Sequence, residues 1–391
     1  MGSSKKQKVD VLIVGAGLAG LVTAERLSNA LGWKCAVVEQ RDHIGGNAYD
    51  YYDTAGVLIH KYGPHYFRSN SPKIVDYLSQ FTDWHSVKYK VKSYTEGKYW
   101  SFPINLNTFE QLIGRPSDSQ EFEYWLEEHR EKIDNPQNSE EVITSQVGKD
   151  LYEKFFKGYT LKQWRKHPRD LDSSVCGRIP IRSNRDDRYL RESFQALPSA
   201  GYTALFEKMI AASPGIELRL ATSLNQAREI YQWRHLVYTG PIDAYFDHCY
   251  GPLPYRSLRF ENTSFSEEEL REREEISGKR GHWQPEMQVN YPSTEVDFTR
   301  IVEIKHATGQ KTPNSTIVKE FPADYEETGE PYYPVPTDES KALYQKYKDR
   351  AAAEMNTSFI GRLGTYRYYN MDQVVGMALN ECEKIRMQVS V

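Results

Sequence analysis

Apolar residues cluster first in an almost continuous run from Val9 to Val14, the pattern of a strand buried on both faces of a parallel sheet. The spacing then turns helical, with Leu18, Leu21, Val22, Leu27 and Leu31 on one side and Gly32 placed to stop the helix. A second apolar run, Cys35 to Val38, ends at Glu39. Beyond this strand–helix–strand unit, Tyr51 to Phe67 alternates and turns through GPHYFRS, and Trp84 to Phe102 predicts short strands. Thr108 to Lys166 is polar, charged and helix-periodic, interrupted at Pro116 and Pro136. Tyr202 to Tyr238 returns to the first unit, while Val289 to His306 and Tyr332 to Val335 have strand character. The chain closes on a strand, a glycine-containing turn and a helix with Val374, Val375, Ala378, Leu379 and Cys382 on its buried side.

The turns of the first unit carry its chemistry. Gly15, Gly17 and Gly20 form G-x-G-x-x-G between strand and helix, with Leu18 and Ala19 opening the helix. Such glycines permit a tight turn and close approach to a pyrophosphate, which then sits on the amides and positive end of the helix. Glu39, followed by Gln40, stands about twenty residues on, where an acid meets a ribose 2′-OH. A dinucleotide is therefore the expected cofactor.

Composition narrows the class. A chain of 391 residues with net charge -4 makes two or three domains and gives no reason to expect nucleic acid. The four cysteines, Cys35, Cys176, Cys249 and Cys382, lack ligand or disulfide spacing, so neither a metal nor an oxidising compartment is indicated. No apolar run is long enough to span a membrane, and a cytoplasmic location is expected.

The fingerprint alone does not choose between NAD and FAD. Arg41, Gly45, Gly46 and Asn47 resemble the extension that follows the acid in flavoproteins of the amine-oxidase type, where main-chain amides reach the FAD pyrophosphate. In two-part FAD domains of that kind, a terminal helix points its N-terminus at the N1 and O2 edge of the flavin, where its dipole favours the reduced anion. The pattern implies an α/β protein: a Rossmann-like FAD-binding domain with an inserted helical domain and an antiparallel β-sheet substrate domain. The expected FAD-binding segments are 1–83, 201–245 and 338–391. Segments 84–107 and 246–337 form the sheet domain, 108–170 the helical insertion and 171–200 a mobile loop with a sheet segment.

Five strings behind that fingerprint, FFKGYTLKQW, GRIPIRSNRDDRY, NYPSTEVDFTRIVEIKH, GEPYYPVP and GRLGTYRY, resemble in their order the bacterial UDP-galactopyranose mutase family. The likeness runs from about Val9 to Ile385 and is weakest between Arg115 and Ser139. It implies an isomerase that interconverts UDP-galactopyranose and UDP-galactofuranose without net redox change. Non-covalent FAD would be active when reduced, its N5 attacking the anomeric carbon as UDP leaves, with NAD(P)H as a reductant. A role in galactofuranose-containing surface glycans and a homo-oligomer would follow.

Carried over by motif position, Phe155, Phe156, Tyr159, Thr160 and Trp164 are expected to hold the uridine, and Arg178 and Arg300 the diphosphate. Arg182, Arg185 and Arg188 would be balanced by Asp186, Asp187 and solvent. Tyr189, Tyr333 and Tyr368 match substrate tyrosines, with Tyr332, Tyr366 and Tyr369 one or two positions away. Asn105 and Asn290 match positions near the ribose and sugar, and His65 a histidine beside the flavin. Arg362, Asn370, Met371 and Gln373 complete the expected cofactor contacts. Two positions depart from the family pattern, which commonly has His in place of Arg68 and Asp in place of Asn370. An FAD oxidoreductase of the amine-oxidase type and a non-catalytic nucleotide-sugar binder remain as alternatives on sequence.

Overall fold

A computed structural model describes residues 5–177 and 179–389. Its centre is a five-stranded parallel sheet in the order Ile216–Arg219, Cys35–Val38, Val11–Val14, His235–Tyr238 and Thr357–Phe359. Val11, Leu12, Ile13 and the whole of Cys35–Val38 are buried, as a strand covered on both faces requires. Helix Leu18–Leu31 follows the first strand and ends on Gly32, whose φ of 67° closes the last turn in the left-handed region. The C-terminal helix Met371–Val389 lies along it. Val375, Ala378, Cys382 and Ile385 recur at helical spacing on its buried side, while Val374 and Leu379 pack at the edge. Each fully buried valine or isoleucine there contributes about 1.5–3 kcal/mol.

The second sheet has seven strands, in the order Tyr333–Pro334, Tyr255–Phe265, Ser315–Asp324, Arg300–Val302, Gln288–Asn290, Val91–Thr95 and Lys98–Phe102. It is antiparallel except where Gln288–Asn290 runs parallel to Val91–Thr95. The stretch predicted as strand from Val289 to His306 is two short strands instead. Asn290 pairs with Arg300 across a loop at 291–299, and Lys305–Thr308 is helical. Pro292 removes a ladder donor and the polar run through Glu295 and Asp297 favours solvent, so the ladder breaks there. Tyr332 to Val335 likewise reduces to Tyr333–Pro334.

The predicted helical stretch forms Leu106–Ile113, Ser119–His129 and Ser139–Tyr152. Asn105, Asp118 and Asn138 cap these helices by accepting from backbone amides. A π-helical turn, Glu153–Lys157, leads into Gly158–Trp164. This turn shifts the helical phase where the aromatic residues begin.

Candidate active site

The two glycine clusters meet. Gly15 has φ 107°, and a Cβ on Gly20 would stand 1.9 Å from its carbonyl oxygen, so the first turn admits no side chain. Gly45 forms a parallel bridge with Gly17 and donates its amide to Ala16 O at 2.8 Å. A Cβ on Gly46 would come within 3.0 Å of the Gly17 Cα. The result is a cradle of bare main chain at the start of helix Leu18–Leu31, with Leu18 and Ala19 in its first turn, which fits a pyrophosphate. Glu39 is buried behind it, accepting from the amides of Ala16 at 2.9 Å and Arg41 at 3.0 Å. Arg41 reaches Asn47 Oδ1 at 3.0 Å and ion-pairs with Glu330, which ties this cradle to the second sheet. Gln40 is exposed.

Strand register builds the other half of the site. Arg300 pairs directly with Glu320, and its Nε donates to Glu320 Oε2 at 2.6 Å. Arg300 is 19% exposed and Glu320 1%. Burial opposes the guanidinium charge, but the carboxylate offsets this and holds it well above its usual value. Nη1 reaches Gln288 Oε1 at 3.3 Å, Tyr89 donates to that same oxygen, and Gln288 Nε2 donates to Asn290 Oδ1 at 2.7 Å. Arg300 is thus fixed from one side by a buried polar chain. On another side stands Tyr159, whose phenol burial pushes up to about 12, with Arg300 pulling against this and Tyr189, Glu320 and Tyr333 adding to it.

The predicted aromatic residues divide by environment. Tyr159 and Trp164 are half-buried on helix Gly158–Trp164. Phe155 and Phe156 are almost wholly buried, with rings 6.1 and 5.9 Å from Phe102. Thr160 is also buried, its hydroxyl 3.6 Å from Cys176 Sγ. Tyr189 packs edge-on to Tyr89 at 5.6 Å. Tyr333 stacks with Tyr368 at 6.1 Å, and Arg362 lies 4.6 Å over the Tyr368 ring. Their neighbours are engaged elsewhere: Tyr332 is buried against Tyr62 and Phe260, and the Tyr366 hydroxyl donates to Pro254 O. Tyr369 lends its carbonyl to Arg362 at 2.9 Å.

Asn105 is a correction. It is fully buried, accepts from the amides of Asn107 and Thr108, and donates to Ser101 Oγ and Pro103 O. Its side chain is consumed by the helix cap and has nothing left for a ribose. Arg178 lies outside the described residues. Among the remaining arginines of that stretch, Arg188 grips Asp186 bidentately and Arg182 donates to the Asp186 and Arg188 carbonyls. Arg185 pairs with Glu110, and Asp187 with Lys90, so the expected balance holds for Asp186 and for solvent, which reaches the exposed Arg185 and Arg188, but not for Asp187.

His65 faces the Gly63 carbonyl through Nδ1 at 3.0 Å, which makes that nitrogen the protonated one and Nε2 an acceptor. Burial pushes its pKa down to about 3, so the ring is neutral at physiological pH. Its amide donates to Nδ1 of His60 at 3.0 Å, a buried ring pushed down to about 4 by desolvation. Ahead of the C-terminal helix, the Asn370 amide donates to Gln373 Oε1 at 2.9 Å and Met371 begins the first turn.

Glu320, Gln288, Tyr89 and His60 were not singled out in the sequence. Gln288 was within reach of a period-2 argument, two residues before Asn290 on the same face. Glu320 was marked only by an acid within the strand STIVKEFP.

A bare main-chain nucleotide cradle, with a charged arginine grouped among tyrosines on the second sheet, is the arrangement of a dinucleotide-binding protein of the flavoprotein type. Residues 13–81 match the NAD(P)-binding Rossmann-like domain family, and residues 154–368 match the UDP-galactopyranose mutase family. A Klebsiella pneumoniae protein named probable UDP-galactopyranose mutase is 36% identical over 97% of this chain and 96% of its own. An Escherichia coli dTDP-fucopyranose mutase is 33% identical over 96% of this chain and 97% of its own. A crystal structure of reduced UDP-galactopyranose mutase superposes with TM-score 0.74 at 17% identity, over 98% of this chain and 95% of that one. The chain belongs to the UDP-galactopyranose mutase family and is an isomerase. The oxidoreductase and non-catalytic alternatives give way to that membership. Among the described residues no helix is long and apolar enough to cross a membrane, and no cluster could hold a metal.

Proposed function

We propose that the chain interconverts UDP-galactopyranose and UDP-galactofuranose, using non-covalently bound FAD in its reduced form. The observation that carries this reading is Arg300, charged, held by buried Glu320, and grouped with Tyr159, Tyr189 and Tyr333. Reduced flavin would supply a nucleophile at N5. The protein's own residues supply the rest. Arg300, joined by Arg178, neutralises the diphosphate and stabilises the charge that grows on departing UDP. Trp164 and Tyr159 offer faces to uracil, with Phe155 and Phe156 as the packed floor. Tyr189, Tyr333, Tyr368 and Asn290 hydrogen-bond the diphosphate and sugar. The glycine cradle and Glu39 hold the ADP half of FAD, and His65 offers a neutral acceptor beside its ring system. Arg362, Asn370, Met371 and Gln373 form the flavin side of the pocket. The same reading includes an NAD(P)H reductant, a cytoplasmic homo-oligomer and a place in supplying galactofuranose to surface glycans.

The test is incubation of purified protein with UDP-galactofuranose, with and without dithionite, followed by chromatography. UDP-galactopyranose should form only under reductant. Equal conversion in air would overturn the role of reduced flavin, and no conversion in either would overturn the substrate.

A second reading is favoured by the likeness to a dTDP-fucopyranose mutase at 33% identity, close to the 36% of the UDP-galactopyranose relative. It keeps the arginine and tyrosine roles and changes the nucleoside and sugar. Equimolar competition between UDP-galactopyranose and dTDP-fucopyranose separates the two by their ratio of kcat/KM.

A further inference from the structure

Lys162 lies one helical turn from Tyr159, yet its ammonium points into the protein. Nζ stands 2.6 Å from Tyr291 O, 2.7 Å from Ser293 O, 3.0 Å from Val296 O and 2.7 Å from Phe298 O. An ammonium carries three N–H donors, so four carbonyls at this range engage all of them and share at least one. These carbonyls belong to the loop at 291–299, which joins Asn290 to Arg300 and closes when the Tyr291 amide donates to Thr299 O at 2.8 Å. Carbonyls in a polar surface loop ordinarily turn to water. Here they converge because a cation stands at their centre.

The same helix touches the loop at a second point. A Cβ on Gly158 would lie 2.2 Å from Pro292 O, so the main chains are in direct contact there. Helix Gly158–Trp164 also packs on strand Ser315–Asp324, which carries Glu320. The helix bearing Tyr159 and Trp164 and the strands bearing Asn290 and Arg300 are therefore docked through Lys162 and Gly158.

We propose that Lys162 is a positioning residue that sets the distance between the aromatic helix and Arg300. This rests on the reading of the site as a uridine diphosphate pocket. A base and its diphosphate are joined by one ribose, so the two halves of the site must keep a fixed spacing to engage both at once. Lys162 maintains it without touching substrate. A neutral, apolar residue would leave the converging carbonyls unpaired, and the loop would turn outward to recover water, taking the backbone beside Arg300 with it. Lysine suits the place because its compact head can enter a ring of carbonyls that a planar guanidinium would overfill.

The experiment compares Lys162→Met and Lys162→Gln with the parent, all as FAD-loaded protein. Hydrogen exchange is measured without ligand, UDP affinity by calorimetry, and kcat and KM with UDP-galactofuranose under dithionite. In Lys162→Met, amides of 291–299 should exchange faster while those of the parallel sheet and the flavin spectrum stay unchanged. UDP affinity and kcat/KM should fall by about 10- to 100-fold, the range seen when a supporting residue lets a site slip. Lys162→Gln keeps two N–H donors and should fall between Met and parent. The proposal is overturned if both variants keep loop exchange and UDP affinity within about twofold of the parent. It is overturned equally if exchange rises throughout the protein in step, because that marks a general fold contribution. If Lys162→Met does not fold, Lys162→Gln alone decides. A parent that binds no UDP would defeat the reading of the site, whereas the ligand-free exchange still reports on the loop.

Discussion

Arg68 donates from Nη2 to the side-chain oxygen of Asn370 across 2.8 Å, so two positions expected from the sequence to depart from the family pattern meet each other. Arg68 belongs to strand Phe67–Ser69, and Asn370 immediately precedes the C-terminal helix. Glu192 stands 3.5 Å from the Arg68 Nε and supplies the counter-charge. The Asn370 side-chain oxygen serves as an acceptor for Arg68, so the two side chains are in direct contact.

That pairing predicts non-additivity. Arg68→Ala and Asn370→Ala should each destabilise the protein by about 1 kcal/mol, and the double variant by clearly less than their sum. Denaturant melts of the four proteins in the cycle check this. Strict additivity would mean the contact carries no energy.

The cradle predicts an effect of one methyl group on cofactor retention. At Gly46 φ is 55° and an added Cβ would reach the Gly17 Cα at 3.0 Å, so Gly46→Ala strains the backbone and pushes the two loops apart. The left-handed conformation alone costs about 1–2 kcal/mol. Purified Gly46→Ala should carry a smaller fraction of flavin than the parent, measured as visible absorbance against protein. Gly97→Ala, at φ 74° with open space around it, controls for backbone strain away from the cradle.

The first two strands of the parallel sheet were legible because VLIV and CAVV are wholly apolar and the turn after the first is marked by glycine, whereas IELR and TSF carry polar residues that hide their place in the sheet. Elsewhere short elements defeated the periodic argument. Arg300 was recognisable as a strand residue, but its partner Glu320 depends on register, which a sequence with a loop of unknown length does not specify. Asn105 was misread although its signal was present: Asn105 and Thr108 have the spacing of a reciprocal helix cap, and that use left no group for a ligand. Lys162 was invisible because a buried lysine paired with backbone has the same local sequence as one facing water.

The buried histidines predict acid sensitivity. His60 is pushed down to about 4 and His65 to about 3 by desolvation, both below an unfolded value near 6.5. Between these limits the unfolded chain binds more protons, so stability is full above about pH 6.5 and falls as pH drops toward 4. Each such histidine adds about 1.4 kcal/mol per pH unit well inside that window. His60→Gln should flatten the dependence of unfolding free energy on pH between 6 and 4.5. An unchanged slope would show that His60 titrates normally in the folded protein.

The last prediction concerns two adjacent tyrosines with opposite roles. Tyr332 is 4% exposed and packs against Tyr62 and Phe260, whereas Tyr333 is half-buried, stacks on Tyr368 and lies in the field of Arg300. Tyr333→Phe removes the hydroxyl that the proposed function assigns to the diphosphate and keeps the ring. A hydrogen bond to a charged group is worth about 1.5–3 kcal/mol, so UDP binding should weaken by about 10- to 100-fold with the melting temperature nearly unchanged. Tyr332→Phe should alter neither by much, and Tyr332→Ala should cost about 3–5 kcal/mol of stability as a buried aromatic truncation. Calorimetry with UDP and thermal melts on the three variants separate these outcomes. If Tyr332→Phe weakens UDP while Tyr333→Phe does not, the strand presents the opposite face to the substrate, and the assignment of Tyr333 to the pocket is wrong.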